Sequence, residues 1–291
     1  MAYANGTVTD LSQLLTALTN ACVAGGWTYA GGELTKHGCI FPISVDTYSS
    51  PYTRLRMQIK NPVDSTVSEI TSIRDMANVP ITFPAEYHIF TFDKEVYCVL
   101  NIQPGTYAWI CFGASSISVP GSGAFLSGSC SGSTSTTIDP NYPSFFYGAS
   151  ALAGAYYQSS RMDVGFSFCA PFSVEDLSQG VGIGSNIWYS GNYGVGATQP
   201  NAFSGESILT PLRVFAEYSL NSYCLVFQSE HARHIRIDNY EEEQIITYGA
   251  DKWMIFPCKK RDTANRTFVY RYDATTSGSG TFGMAIRYEG P

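Results

Sequence analysis

Charge is scarce in this 291-residue sequence. Asp, Glu, Lys and Arg make up 14% of it, against about 25% in ordinary soluble domains. With so little charged surface, part of the exterior is expected to face protein rather than water. The 17 Lys and Arg are outnumbered by 24 Asp and Glu, for a net charge of −7. That balance argues against a nucleic-acid role, which needs clustered cations against phosphate. The longest basic cluster, Lys259-Lys260-Arg261, reads as a solvated turn. Long apolar runs are also missing, so no transmembrane helix is expected. Residues 1–10 have neither a basic nor an apolar signal region, and synthesis in a cytoplasm is the reading. In that setting the two sequons at Asn5 and Asn265 are chance matches.

The spacings that carry chemistry are absent as well. The cysteines (Cys22, Cys39, Cys98, Cys111, Cys130, Cys169, Cys224 and Cys258) never reach C-x-x-C spacing, so zinc and thioredoxin-type readings fail. Their apolar neighbours make them buried free thiols, with disulfides outside a reducing cell as the alternative. His231-x-x-His234 beside Glu230 is the one metal-like pair. Its spacing is shorter than the zincin motif, and on a strand the two rings would point to opposite faces. It is read as a polar turn between strands. Ser127-Gly128-Ser129 lacks the strand–helix setting of a nucleophile elbow, and Gly180-Val181-Gly182-Ile183-Gly184 lacks that of a phosphate loop. Glu241-Glu242-Glu243 is read as a solvated face on a short helix, 240–246. The chain is therefore expected to be no enzyme and to hold no cofactor or metal.

What is abundant is aromatic: 20 Tyr, 17 Phe and 4 Trp. Tyr suits strands and contact surfaces alike. Leu11, Leu14, Leu15, Leu18 and Cys22 line one helical face, with Thr9 or Asp10 as cap and Gly25-Gly26 as stop, which predicts a helix at 10–24. Gly31-Gly32 predicts a hairpin. Strands are predicted at 39–45 and 55–59, and the turns at Asp93-Lys94 and Pro104-Gly105 break 87–113 into an antiparallel meander. Further strands are predicted at 212–218, 222–228, 268–272 and 283–288.

Gly and Ser dominate 116–143, read as a linker or long loop. Residues 178–206 are Gly-rich too, but Trp188, Tyr189 and Tyr193 make this stretch a contact loop. The expected fold is α+β, predominantly antiparallel β. A domain at 1–115 packs a helix on a sheet, and a β-sandwich-like part follows at 144–291.

Three segments resemble virion structural proteins of tailed bacteriophages and prophages. They are Met1-Ala2-Tyr3 with Gly6-Thr7, the Leu-rich helix and Gly26-Trp27; the stretch from Tyr87 to Gly113; and Ser279 to Pro291. None is a chemical motif. The resemblance implies a subunit of the tail, baseplate or neck, assembled in the host bacterial cytoplasm and resident in the virion. Its partners would be other virion proteins and copies of itself, with no nucleic acid or membrane. A receptor- or carbohydrate-binding module of the particle, stacking sugar rings on Trp188, Tyr189 and Tyr193, is the alternative.

Overall fold

The computed structural model describes residues 1–60, 62, 65, 67, 71–75, 80–117, 123–128, 130–131, 166–169, 187–189, 209–219, 222–264 and 281–290. These residues form one helix and three six-stranded antiparallel sheets. In chain order the elements are β1 (Ala2–Val8), α1 (Leu11–Ala24), β2 (Thr28–Ala30), β3 (Glu33–Lys36), β4 (Cys39–Ser49), β5 (Tyr52–Met57), β6 (Thr71–Arg74), β7 (Ala85–Thr91), β8 (Glu95–Gln103) and β9 (Thr106–Ala114). Then come β10 (Ala124–Gly128), β11 (Cys130–Ser131), β12 (Phe166–Cys169), β13 (Ile187–Tyr189), β14 (Thr210–Ser219), β15 (Ser222–Arg236), β16 (Ile245–Tyr248), β17 (Asp251–Pro257) and β18 (Phe282–Tyr288). The fold is α+β and predominantly antiparallel β, as the sequence predicts.

Local signals place several elements. Asp10 caps α1 by accepting the Gln13 N–H, and its residues Leu11, Leu14, Leu18 and Cys22 are buried. Gly31 and Gly32 both have positive φ, 58° and 79°, the geometry of a tight turn whose twist matches its flanking strands. They join β2 to β3.

Sheet one runs β1-β7-β8-β9-β10-β12 and lies in the middle. Along β8 and β9, alternate side chains enter two different cores. Val96, Cys98, Leu100, Ala108, Ile110 and Phe112 meet α1 and sheet two (β11-β6-β5-β4-β3-β2). Tyr97, Val99, Tyr107, Trp109 and Cys111 meet Phe227, Met254, Phe256, Met284 and Ile286 of sheet three (β13-β14-β15-β18-β17-β16). All nine residues of β9 are buried, as expected where a sheet is covered on both sides.

Three expectations are corrected. Within 116–143, expected as a linker or long loop, Ala124–Gly128 and Cys130–Ser131 are strands. Ala124, Phe125 and Leu126 are apolar enough to join sheet one's two cores. The short helix at 240–246 is absent: 241–244 is a turn and 245–248 is β16. Third, no turn separates two strands at His231, because β15 runs unbroken from Ser222 to Arg236. It bulges instead: Pro211 to Arg213 of β14 faces Arg233 to Gln228 of β15, three residues against six. The strand expected at 268–272 lies outside the described residues.

Candidate functional site

The bulge in β15 forms a polar junction between sheets one and three. Glu95 opens β8 and is only 2% exposed. Its Oε1 accepts the Glu230 N–H at 2.8 Å. Its Oε2 accepts the His231 N–H at 2.9 Å and the Tyr97 hydroxyl at 2.8 Å, with His231 Nδ1 at 3.1 Å. Two successive amides pointing one way form a small anion-binding concavity, and here the chain fills it with its own carboxylate. The His231 ring stacks on Phe92 at 3.9 Å. His234 pairs in register with Met284, a residue of the core facing sheet one. The bulge thus breaks the alternation, and both rings lie on the side of sheet one rather than on opposite faces. Burial lowers the His234 pKa to about 4, helped by Arg236, so the ring is neutral at pH 7. Among the described residues, no three His, Cys, Asp or Glu side chains converge as a metal site.

A second junction joins four elements. Tyr3 (β1) lies with its hydroxyl 2.8 Å from His88 Nδ1 (β7). His88 Nε2 faces Glu243 Oε2 at 3.4 Å, and Tyr107 (β9) donates to Glu243 Oε1 at 2.9 Å. Glu243 sits at φ 62° in the turn before β16. That is a strained conformation for a non-glycine residue. The acidic run is therefore not one solvated face, since its last carboxylate turns inward. The contact with His88 holds Glu243 below the usual carboxylate range, against its own desolvation. Burial, with Tyr288 and Glu243 nearby, pushes the Tyr3 hydroxyl well up. Burial and then Glu243 do the same for Tyr107.

Tyr3, His88 and Glu243 have the connectivity of nucleophile, base and orienting acid. The raised pKa keeps the Tyr3 hydroxyl protonated, and in this array it is a hydrogen-bonding partner of His88. What this junction does is pin the turn before β16 to β7 and β9 of sheet one.

The sequence-predicted contact loop is placed only in part. Trp188 and Tyr189 belong to β13, whose backbone pairs with β14 at Phe215 and Val214. Tyr193 lies outside the described residues, as do Gly180, Gly182 and Gly184. Ser127 and Gly128 are in β10, and Ser129 lies outside the described residues. Among the described cysteines, Cys22, Cys98 and Cys258 are buried free thiols, and Cys39 and Cys111 are buried as well.

Exposed apolar side chains gather at a sheet edge the sequence reading passed over. β16 ends sheet three, and its Ile245 and Tyr248 are 43% and 61% exposed. Its four residues carry no charge, proline or bulge. Neither comparison with protein-family models nor comparison with curated proteins finds a match to this chain.

Proposed function

We propose that this chain is a structural subunit of a tailed-phage particle, in the tail, baseplate or neck, and that it works through protein–protein interfaces without catalysis. The observation that carries this reading is the β16 edge. Although short, β16 carries neither charge nor proline and exposes two large apolar side chains, a surface that another protein can cover. The low charge and the resemblance of the two ends and the meander to virion proteins support the same reading. Its partners would be other virion proteins and further copies of itself, met in the host bacterial cytoplasm during assembly.

The test is incorporation. Particles banded from a lysed host culture carry the chain in fixed stoichiometry, and an antibody against it labels their tail end in electron micrographs. The double substitution Ile245→Lys, Tyr248→Lys leaves the purified chain folded and excludes it from particles. Particles that band without the chain overturn the proposal. Undiminished incorporation of the double variant removes β16 as the contact.

A further inference from the structure

Among the described residues sheet one ends on β1, and the sequence of this strand lacks the devices that keep sheet edges apart. Natural edges are blunted by charge, proline, bulges or shortness. β1 runs seven residues, Ala2–Val8, with neither a charge nor a proline. Its ladder with β7 runs without a register shift from Ala2 opposite Thr91 to Val8 opposite Ala85. Asn5, Gly6 and Thr7 are exposed, and Ala2, Tyr3 and Ala4 are half-buried. β2 and β16, also edge strands, have only three and four residues.

The edge is also complementary to itself. Opposite residues in an antiparallel pair share a face of the sheet. Two copies related by a two-fold axis must therefore pair one residue with its own counterpart on that axis. With Asn5 there, Tyr3 falls opposite Thr7, Ala4 opposite Gly6 and Ala2 opposite Val8, so all seven residues pair. Alternation then puts Tyr3, Asn5 and Thr7 of both copies on one face, and Ala2, Ala4, Gly6 and Val8 on the other. Polar meets polar, small meets apolar, and no like charges meet. Moving the axis to Ala4 or Gly6 shortens the ladder to five residues.

We propose that two copies of this chain pair antiparallel through β1 with Asn5 on the two-fold axis, joining their central sheets into one continuous sheet. This pairing is a property of the isolated chain and does not rest on the particle reading. One strand pair buries less than the roughly 1,600 Å² of a standard interface. The free dimer is therefore weak, with a dissociation constant on the order of micromolar or above.

Asn5→Cys tests the register in the full chain. Residues directly opposite have Cα atoms about 4.5–5.5 Å apart, within disulfide range. At about 50 µM with oxidised glutathione as the disulfide donor, a concentration near the expected dissociation constant, Asn5→Cys is expected to run mostly as a dimer on a non-reducing gel. Wild type stays monomeric there, and so does Thr7→Cys, whose partner is Tyr3. In sedimentation without oxidant, wild type dimerises with concentration. Asn5→Lys, which sets two cations at the axis of an exposed strand, weakens dimerisation at least about tenfold, by roughly 1.4 kcal/mol, while its circular dichroism stays unchanged. The proposal is overturned if Asn5→Cys does not cross-link, if Thr7→Cys cross-links equally, or if Asn5→Lys dimerises like wild type. A wild type that stays monomeric throughout the range overturns it too.

Discussion

Replacing Glu95 by Gln should loosen the junction between sheets one and three. Glu95 is 2% exposed and receives three hydrogen bonds, from the Glu230 and His231 amides and the Tyr97 hydroxyl, with His231 Nδ1 also at 3.1 Å. Gln keeps the shape but exchanges one acceptor oxygen for an NH₂ donor. In its better orientation it keeps the two Oε2 bonds and turns the NH₂ toward the Glu230 N–H, leaving that donor facing a donor. An orphaned buried donor costs about 1–3 kcal/mol, and the surviving bonds lose their charge assistance. The expected loss is about 2–4 kcal/mol, read from urea denaturation followed by tryptophan fluorescence. Tyr97→Phe alone removes one donor and leaves the carboxylate its others, so it should cost about 1 kcal/mol. A double-mutant cycle should show the two substitutions coupled by at least about 0.5 kcal/mol. Hydrogen exchange at the Glu230 and His231 amides should rise in Glu95→Gln and stay unchanged in a distant control. A loss under about 0.5 kcal/mol with unchanged exchange would refute the assignment of this carboxylate as the latch on the bulge.

Other outcomes follow from the same contacts. The Glu243 carboxyl is held below its ordinary value of 4.5, chiefly by His88, so the unfolded chain binds its proton more tightly. Its contribution to stability is present above about pH 4.5 and is lost as pH falls through its depressed folded value. Glu243→Gln should flatten that part of an acid-denaturation profile, and an unchanged acid limb would remove Glu243 from it. A Cβ at Gly113 would run into the Lys94 carbonyl where Gly113 pairs with Glu95. Gly113→Ala should therefore cost about 2 kcal/mol and lower Tm by roughly 4–8 °C, and calorimetry showing no shift would refute the close approach. Burial pushes the Cys98 thiol up to about 12 and the Cys22 and Cys258 thiols higher still. In the folded chain at pH 8, peptide mass spectrometry should find all three resistant to iodoacetamide until denaturant is added. Labelling at the rate of a free thiol would contradict their burial.

What the sequence discloses is whatever neighbours along the chain decide. Leu11, Leu14, Leu18 and Cys22 share one helical face, so α1 is legible. Gly31-Gly32 between two short strand-like runs can supply the positive φ angles of a tight turn, so the β2–β3 hairpin is legible too. The meander of β7, β8 and β9 shows through its two turns. Contacts between distant residues do not show. Glu95 meets the bulge 135 residues away in sequence. Nothing local marks it, except that it is a carboxylate at the head of an apolar strand. His231 and its polar neighbours look like a turn because a bulge uses the same residues. Glu243 looks solvated in an acidic run until Tyr107, 136 residues earlier, closes on it. β10 is hidden because Ala124-Phe125-Leu126 is a short apolar run inside a Gly/Ser-rich stretch. Trp188 and Tyr189 carry aromatic signal, but that signal does not say that their backbone is a strand beside β14.

The scarcity of charge has an internal cause that the sequence alone conceals. A sheet covered on both faces needs apolar side chains at nearly every position, and β9 is buried throughout. Among the described residues, the strands of sheet one carry only two charges, Glu86 and Glu95, and the rest sit in turns, loops and the outer layers. Asp46, Arg54 and Arg56 form one cluster on sheet two, and Asp251, Arg287 and Glu289 another at the margin of sheet three. Part of what low charge suggests about the exterior is thus accounted for in the interior. An assembly role is then supported less by composition than by two edges. β16 offers exposed Ile245 and Tyr248 on a short strand, and β1 offers a long, uncharged, self-complementary one. An edge that existed only to close a monomer would be shielded by charge or proline at little cost, since neither residue would enter a core. Both edges lack that shielding, and each can be given it by substituting exposed positions alone. Assembly can therefore be tested at β1 and at β16 separately while both buried layers stay intact.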